Sequence, residues 1–205
     1  MKDEKYTYED YTRDFELDYL GFDRTCPNSE EHMNVMQCQN EDIVRIGQFY
    51  DDVVLWLNDH VNYPRWIYGV YPGTQSVRMM TEDGAQYYCT DGEKVLGAFG
   101  LNNKPQGNYQ KGRWSQQLSD GSYMVLHALA VDPIIHRRGV ASKIIRFCID
   151  IAKSDGYKAI RVDIVPSNAP ARKLFEKIGF SYAGDVDLEL NIGNIPVFSL
   201  YELNF

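Results

Sequence analysis

The stretch from Val125 to Ala141, VLHALAVDPIIHRRGVA, runs from apolar residues into two arginines and a glycine. The pattern predicts a buried strand that passes through a turn into a helix opened by Gly139. The first N–H groups of a helix lack intrahelical acceptors, and the helix dipole favours negative charge there. Gly139 lets a ligand approach the backbone with no Cβ in the way. Arg137 and Arg138 add positive charge beside it. The chemistry that suits such a turn is the holding of a pyrophosphate-sized anion.

His127 interrupts the apolar run between Leu126 and Ala128. Two roles fit it: a core histidine with a satisfied ring, or a general base working near neutral pH. Alternation along the strand puts it on the face of Val125 and Leu129, unless a bulge re-aims it. Asn168 stands before Ala169 and Pro170, where it predicts a helix N-cap. Tyr63, Trp66, Tyr68 and Tyr71, with Arg65, form an aromatic run. It fits either a satellite cluster under a loop or a wall that holds an ammonium by cation–π attraction. Cys26, Cys38, Cys89 and Cys148 show no CxxC spacing and no histidines at zinc-ligand intervals, so no metal is expected.

The elements that must position these residues follow from periodicity. Residues 1–31 are acidic and Tyr-rich and keep no single period, so they are expected to be an appendage to a domain spanning 32–205. Met33 to Cys38 predicts a short strand. Ile43, Ile46, Phe49, Tyr50, Val53, Val54 and Leu57 recur at helical spacing and predict a helix ending near His60. Thr74 is placed to cap a short helix ending at Glu82. Gln86 to Thr90 and Lys94 to Asn102 flank Asp91-Gly92, a hairpin signal. Residues 103–120 read as a polar loop with one large apolar residue, Trp114, before a strand from Ser122 to Val131. Helices are predicted over 139–154 and 169–178, with Gly156 and Gly179 past their ends. Strands are predicted at Ala159 to Val165, Tyr182 to Leu190 and Pro196 to Phe205. The order β-α-α-β-β-β-α-β-α-β-β implies an α/β (α+β) domain with a mixed sheet and helices on its faces.

The chain of 205 residues carries a net charge of -8, which argues against nucleic acid as a partner. It agrees with a cationic substrate or with an ordinary acidic surface. The N-terminal MKDEKYTYEDYTRDF lacks the apolar core of a signal peptide, and no apolar run is long enough for a bilayer. Free thiols suit a reducing cytosol, so a cytoplasmic location is expected, without membrane attachment. No glycine pattern of a Rossmann or Walker nucleotide site is present.

Two motifs carry a resemblance. Leu129 to Ala141 resembles the strand-turn-helix of the GNAT superfamily of N-acetyltransferases, with Gly139 and Ala141 matching and His136 standing where Gln or Arg is usual. Asn168 to Phe180, NAPARKLFEKIGF, is similar to that family's second motif, and the C-terminal hairpin agrees with it. The resemblance covers about residues 32–205. It implies the GNAT fold, a mixed, mostly antiparallel sheet flanked by helices, with a bulged strand and splayed central strands. It implies acetyl-CoA as acyl donor, with its pyrophosphate held over Arg137, Arg138, Gly139, Val140, Ala141 and Ser142. The pantetheine arm would pair with Leu129, Ala130 and Val131, and Asn168 would contact it. LHALAV resembles the strand of arylalkylamine N-acetyltransferases in which a histidine helps take the amine proton, which makes His127 the catalytic candidate. Tyr63, Trp66 and Tyr68 lie where the fold usually walls the acceptor pocket. Phe175 departs from the family, which often has a tyrosine there as the acid. Tyr123 and Tyr182 are its conceivable replacements. The expected activity is acetyl transfer to a primary amine, on a small molecule or a peptide, by direct attack in a ternary complex. A non-catalytic acyl-CoA-binding sensor or interaction module is the alternative, and the sequence leaves a homodimer open.

Overall fold

The computed structural model describes residues 33–135, 139–192 and 195–205. The segment 1–31, and His136, Arg137 and Arg138 with it, lie outside the described residues. In chain order the elements are β1 (Asn34–Gln37), α1 (Ile43–Asp59), α2 (Thr74–Glu82), β2 (Gln86–Thr90), β3 (Val95–Asn102), β4 (Met124–Val131), α3 (Val140–Ser154), β5 (Ala159–Ile164), α4 (Ala169–Ile178), β6 (Ser181–Val186) and β7 (Phe198–Asn204). This is the order that periodicity predicts. The strands form one seven-stranded sheet, β1-β2-β3-β4-β5-β7-β6. Every neighbouring pair is antiparallel except β4 and β5, which are parallel.

One face of the sheet buries Leu126, Ile160 and Val162 under Ile144, Ile145 and Cys148 of α3 and Phe175 of α4. On the other face α1 sets Ile46, Tyr50 and Val53 over Tyr88, Ala98 and Ala130. The same face, toward β5 and β7, is covered by the long 103–123 loop through Tyr109 and Trp114. Sequence reading gave that loop one large apolar residue. Tyr109 is in fact fully buried, at the start of a short 3-10 turn.

Arg161 fastens the loop. It points from β5 with its guanidinium carbon 3.9 Å from the Trp114 ring centre and 4.1 Å from that of Tyr123. Its Nη2 donates to the Gln116 carbonyl at 3.0 Å, and Glu202 of β7 lies 3.8 Å away. Glu202 in turn accepts the Ser115 N–H at 2.6 Å. A buried cation is tolerated because two ring faces, a carbonyl and a carboxylate replace its water.

Two expectations need correction. Thr74 is not the cap of α2: Gly73 holds that position, and its N–H donates to Ser76 Oγ at 3.0 Å. Thr74 instead packs on α1 at Gly47, where an added Cβ would lie 2.2 Å from Thr74 Oγ1. β6 stops at Val186 rather than Leu190, because the Leu188 carbonyl accepts from Asn108 N–H at 3.1 Å and the chain follows the loop.

Candidate active site

The centre of the sheet opens because β4 changes register. Between the pairs Ala98–Ala130 and Gly100–His127, β3 advances two residues while β4 advances three. The extra residue makes a β-bulge, and Ala128 takes a φ of 46°. The bulge overturns simple alternation: His127 stays on the face of Val125, but Leu129 turns to the α3 side. Beyond the bulge β4 no longer follows β5. Their pairing is confined to Met124–Ile160 and Val125–Arg161. The edge of β4 from Leu129 through Val131 therefore has no β5 partner and leaves backbone donors and acceptors for another chain of amides.

His127 stands at the mouth of this opening, buried to 7% exposure. Its Nε2 is 3.0 Å from Asn102 Oδ1. That same Oδ1 accepts the Lys104 backbone N–H at 3.0 Å, which fixes it as the carbonyl end of the amide. An amide oxygen only accepts, so Nε2 carries the hydrogen and Nδ1 is the basic nitrogen. Burial lowers the His127 pKa, and the Asp163 carboxylate opposes that shift. Gly100 makes room for the ring's strand: an added Cβ there would lie 2.2 Å from Met80 Cε and 3.3 Å from His127 Cβ.

Asp163 of β5 shares that space. Tyr109 donates its hydroxyl hydrogen to Asp163 Oδ1. Burial pushes the Asp163 carboxyl upward, while the Tyr109 hydrogen bond and the His127 charge pull it down. Tyr71 is pushed up to about 12 by burial and by Asp163. From α1, the Tyr50 hydroxyl donates to the Ala128 carbonyl at 2.9 Å. The Trp66 ring stands edge-on to Tyr50 at 6.3 Å, and Asn62 holds the Trp66 backbone through bonds of 2.7 and 3.0 Å. Tyr63 is half-buried, and Tyr68 points outward at 51% exposure.

The glycine-opened helix start also takes shape. Gly139 has a φ of 68°, a left-handed conformation that suits glycine. The first intrahelical bond of α3 is Lys143 N–H to the Gly139 carbonyl at 2.9 Å. The N–H groups of Val140, Ala141 and Ser142 thus precede the ladder, as an anion site requires. Asn168 caps α4, its Oδ1 accepting Ala171 N–H at 3.2 Å, which leaves the amide nitrogen for a ligand. An unpaired strand edge, a helix start and a free amide donor fit a pantetheine with a pyrophosphate.

Phe175 is buried against Phe180 with ring centres 5.0 Å apart. Of the conceivable replacements, Tyr123 donates to Asp120 and Tyr182 packs against Tyr201. Sequence reading missed Asn102, Asp163, Tyr109 and Tyr50. Asp163 falls inside the strand predicted from Ala159 to Val165, and nothing in the sequence shows that the 103–123 loop covers it.

Comparison with known proteins agrees with this fold. Residues 53–180 match the model of the acetyltransferase (GNAT) family, and the chain belongs to that family. No curated protein sequence matches it. Among solved structures it is similar to a GNAT-family acetyltransferase from Streptococcus agalactiae, at 14% identity and TM-score 0.67, over 84% of this chain and 95% of that one. It is also similar to yncA from Salmonella typhimurium, determined with its cofactor acetyl-CoA, at 16% identity and TM-score 0.61, over 84% and 94% of the chains. A ribosomal-protein-S5-alanine acetyltransferase from Vibrio fischeri matches at 16% identity and TM-score 0.59, over 84% and 93%. At these identities the likeness is one of fold. Among the described residues no cluster of His, Cys, Asp or Glu is placed to hold a metal, and no helix is long and apolar enough to cross a membrane.

Proposed function

We propose that the chain transfers acetyl from acetyl-CoA to a primary amine bound with it in a ternary complex. The observation that carries this reading is His127 at the mouth of the β4–β5 opening, with Nε2 tied to Asn102 and Nδ1 left basic. Acetyl-CoA supplies an acetyl group activated as a thioester. Leu129, Ala130 and Val131 bind its pantetheine arm along the strand edge, helped by the Asn168 amide. Arg137, Arg138 and Gly139 to Ser142 take the pyrophosphate.

His127 accepts a proton from the amine nitrogen at Nδ1, directly or through one water, so that the lone pair is free to attack. Its lowered pKa keeps the ring neutral and able to accept at neutral pH. Holding both reactants in one cleft contributes by proximity. Tyr63, Trp66 and Tyr68 are assigned to the acceptor wall, with Trp66 joined to the site through its ring contact with Tyr50 and Tyr68 at the exposed rim. A thiol with a pKa of about 8.5 leaves tolerably as thiolate, so Phe175 does not forbid the reaction.

The buried Phe175 is also what favours the alternative, a non-catalytic acyl-CoA-binding module of the same fold. Thiol release from acetyl-CoA, followed against a panel of polyamines, amino acids, aryl amines, aminoglycosides and peptide N-termini, tests both. Acceptor-dependent release at a rate well above hydrolysis is the expected result. Tight acetyl-CoA binding with hydrolysis alone would overturn the enzymatic reading.

A further inference from the structure

The parallel register of β4 and β5 ends at Val125–Arg161. Carried two residues further, it sets His127 opposite Asp163, where the strands have parted. Both side chains occupy the face of Val125 and Arg161, opposite α3, because strand residues two apart share a face. The carboxylate and the imidazole therefore lie on one face of the two strands that border the opening, and each acts on the other electrostatically. Asp163 is not free to swing away: Tyr109, itself fully buried, holds Oδ1. Tyr109 in turn is seated by the loop that Arg161 fastens, and its carbonyl accepts Trp114 Nε1–H at 2.7 Å.

We infer that Asp163, fixed by Tyr109, is a positioning residue that stabilises the imidazolium of His127 when that ring takes a proton. This rests on the reading of His127 as the base. The step is a proton transfer alone: the hydrogen leaves the acceptor nitrogen for Nδ1, the ring gains one positive charge, and the Asp163 carboxylate faces that charge. In a site that strips water from the ring, such a partner restores basicity that burial removes.

The surroundings leave Asp163 as the group able to do this. From β3, Asn102 is neutral. From α1 and the loop after it, Tyr50 and Tyr71 keep their protons, since burial raises both. Tyr109 donates to the carboxylate. The nearest cation on the same face of β5, Arg161, is occupied by Gln116, Glu202 and two aromatic rings. Among the described residues, the one ionic influence on His127 is Asp163.

The test reads His127 directly. The full chain has four histidines, so NMR titration of imidazole-labelled protein resolves them, with His127→Gln giving the assignment. In Asp163→Asn, which keeps the shape and can still accept from Tyr109, the His127 pKa is expected to fall by about one unit. The acid limb of kcat/KM should move down by the same amount, and the plateau should drop roughly 3- to 30-fold because the base is weaker. Tyr109→Phe, which loosens the carboxylate without removing it, should shift the His127 pKa less than Asp163→Asn does. An unchanged His127 titration in a folded Asp163→Asn protein would overturn the inference. A His127 pKa that falls while the rate profile stays put would support the electrostatic pairing and remove His127 as the base. If Asp163→Asn does not fold, the Tyr109→Phe titration decides, and no shift there would overturn the inference.

Discussion

Tyr50 and Ala128 are 78 residues apart, yet the Tyr50 hydroxyl donates to the Ala128 carbonyl at 2.9 Å. The carbonyl belongs to the bulged residue of β4, so α1 braces the distortion that opens the sheet. Without that donor the carbonyl would face an apolar surface, at a cost of about 1–3 kcal/mol. Tyr50→Phe should lower stability by that amount in urea unfolding. It should also raise the KM for acetyl-CoA, since the β4 edge would no longer be held open. A variant with wild-type stability and KM would show that the bulge needs no brace.

His127→Gln retains bulk and some hydrogen bonding but cannot accept a proton at neutral pH. Turnover should fall on the order of 10²–10⁴-fold, with acetyl-CoA affinity nearly unchanged and the acid limb of the pH profile lost. Near-normal turnover with the same limb would make this histidine part of the core only.

Gly139→Glu puts a negative charge at the start of α3 and a side chain at a φ of 68°. Acetyl-CoA affinity should drop more than 100-fold by calorimetry, the loss of a helix-start anion site. Gly139→Asn is the control for strain, since asparagine tolerates the left-handed region. It should keep most of the affinity. Equal losses in both variants would mean that backbone geometry, not charge, sets binding.

Asp163 is held above the ordinary carboxylate pKa, chiefly by burial. A raised carboxyl means that the folded state binds protons more readily than the unfolded one. Its contribution to stability therefore falls as pH rises from the ordinary value through the folded one. Once ionised, the group is a burden on the fold. Asp163→Asn should then melt higher than the wild type on the alkaline side of that titration, while being slower. The advantage should vanish near pH 4. A lower melting temperature at neutral pH would mean that Asp163 is a structural anchor.

A chain beginning at residue 32 should keep the fold and bind acetyl-CoA. The sheet begins at Asn34, and β1 pairs with β2 over Asn34–Thr90 to Gln37–Tyr87. Thermal unfolding and calorimetry on the shortened chain check this. Failure to fold would place residues 1–31 within the domain.

Elements with one wet and one dry face were legible in the sequence. The stripe on α3 and the Asn168 cap with Pro170 behind it specify those helices locally, and α4 spans the predicted residues. The Gly139 turn was equally local. What stayed hidden depends on residues far apart in the chain. Asp163 is polar because a distant loop brings Tyr109 over it, and Asn102 matters because β3 lies beside β4. Simple alternation puts Leu129 on the face of His127, and the bulge that the sequence allows but does not locate turns it to the other.

β7 lies between β5 and β6, so both of those strands must wait for it. During synthesis the chain emerges N-terminus first. β1 to β4 can zip by neighbouring antiparallel pairs as they appear, but β5 gains its long partner only when Phe198–Asn204 arrives. Glu202, the counter-charge of Arg161, comes on that same strand. A ribosome-bound chain stalled before β7 would carry an uncompensated arginine and two unpaired strand edges. β7 is thus the clasp of this half of the sheet, and a stop codon before Phe198 should abolish folding rather than trim it.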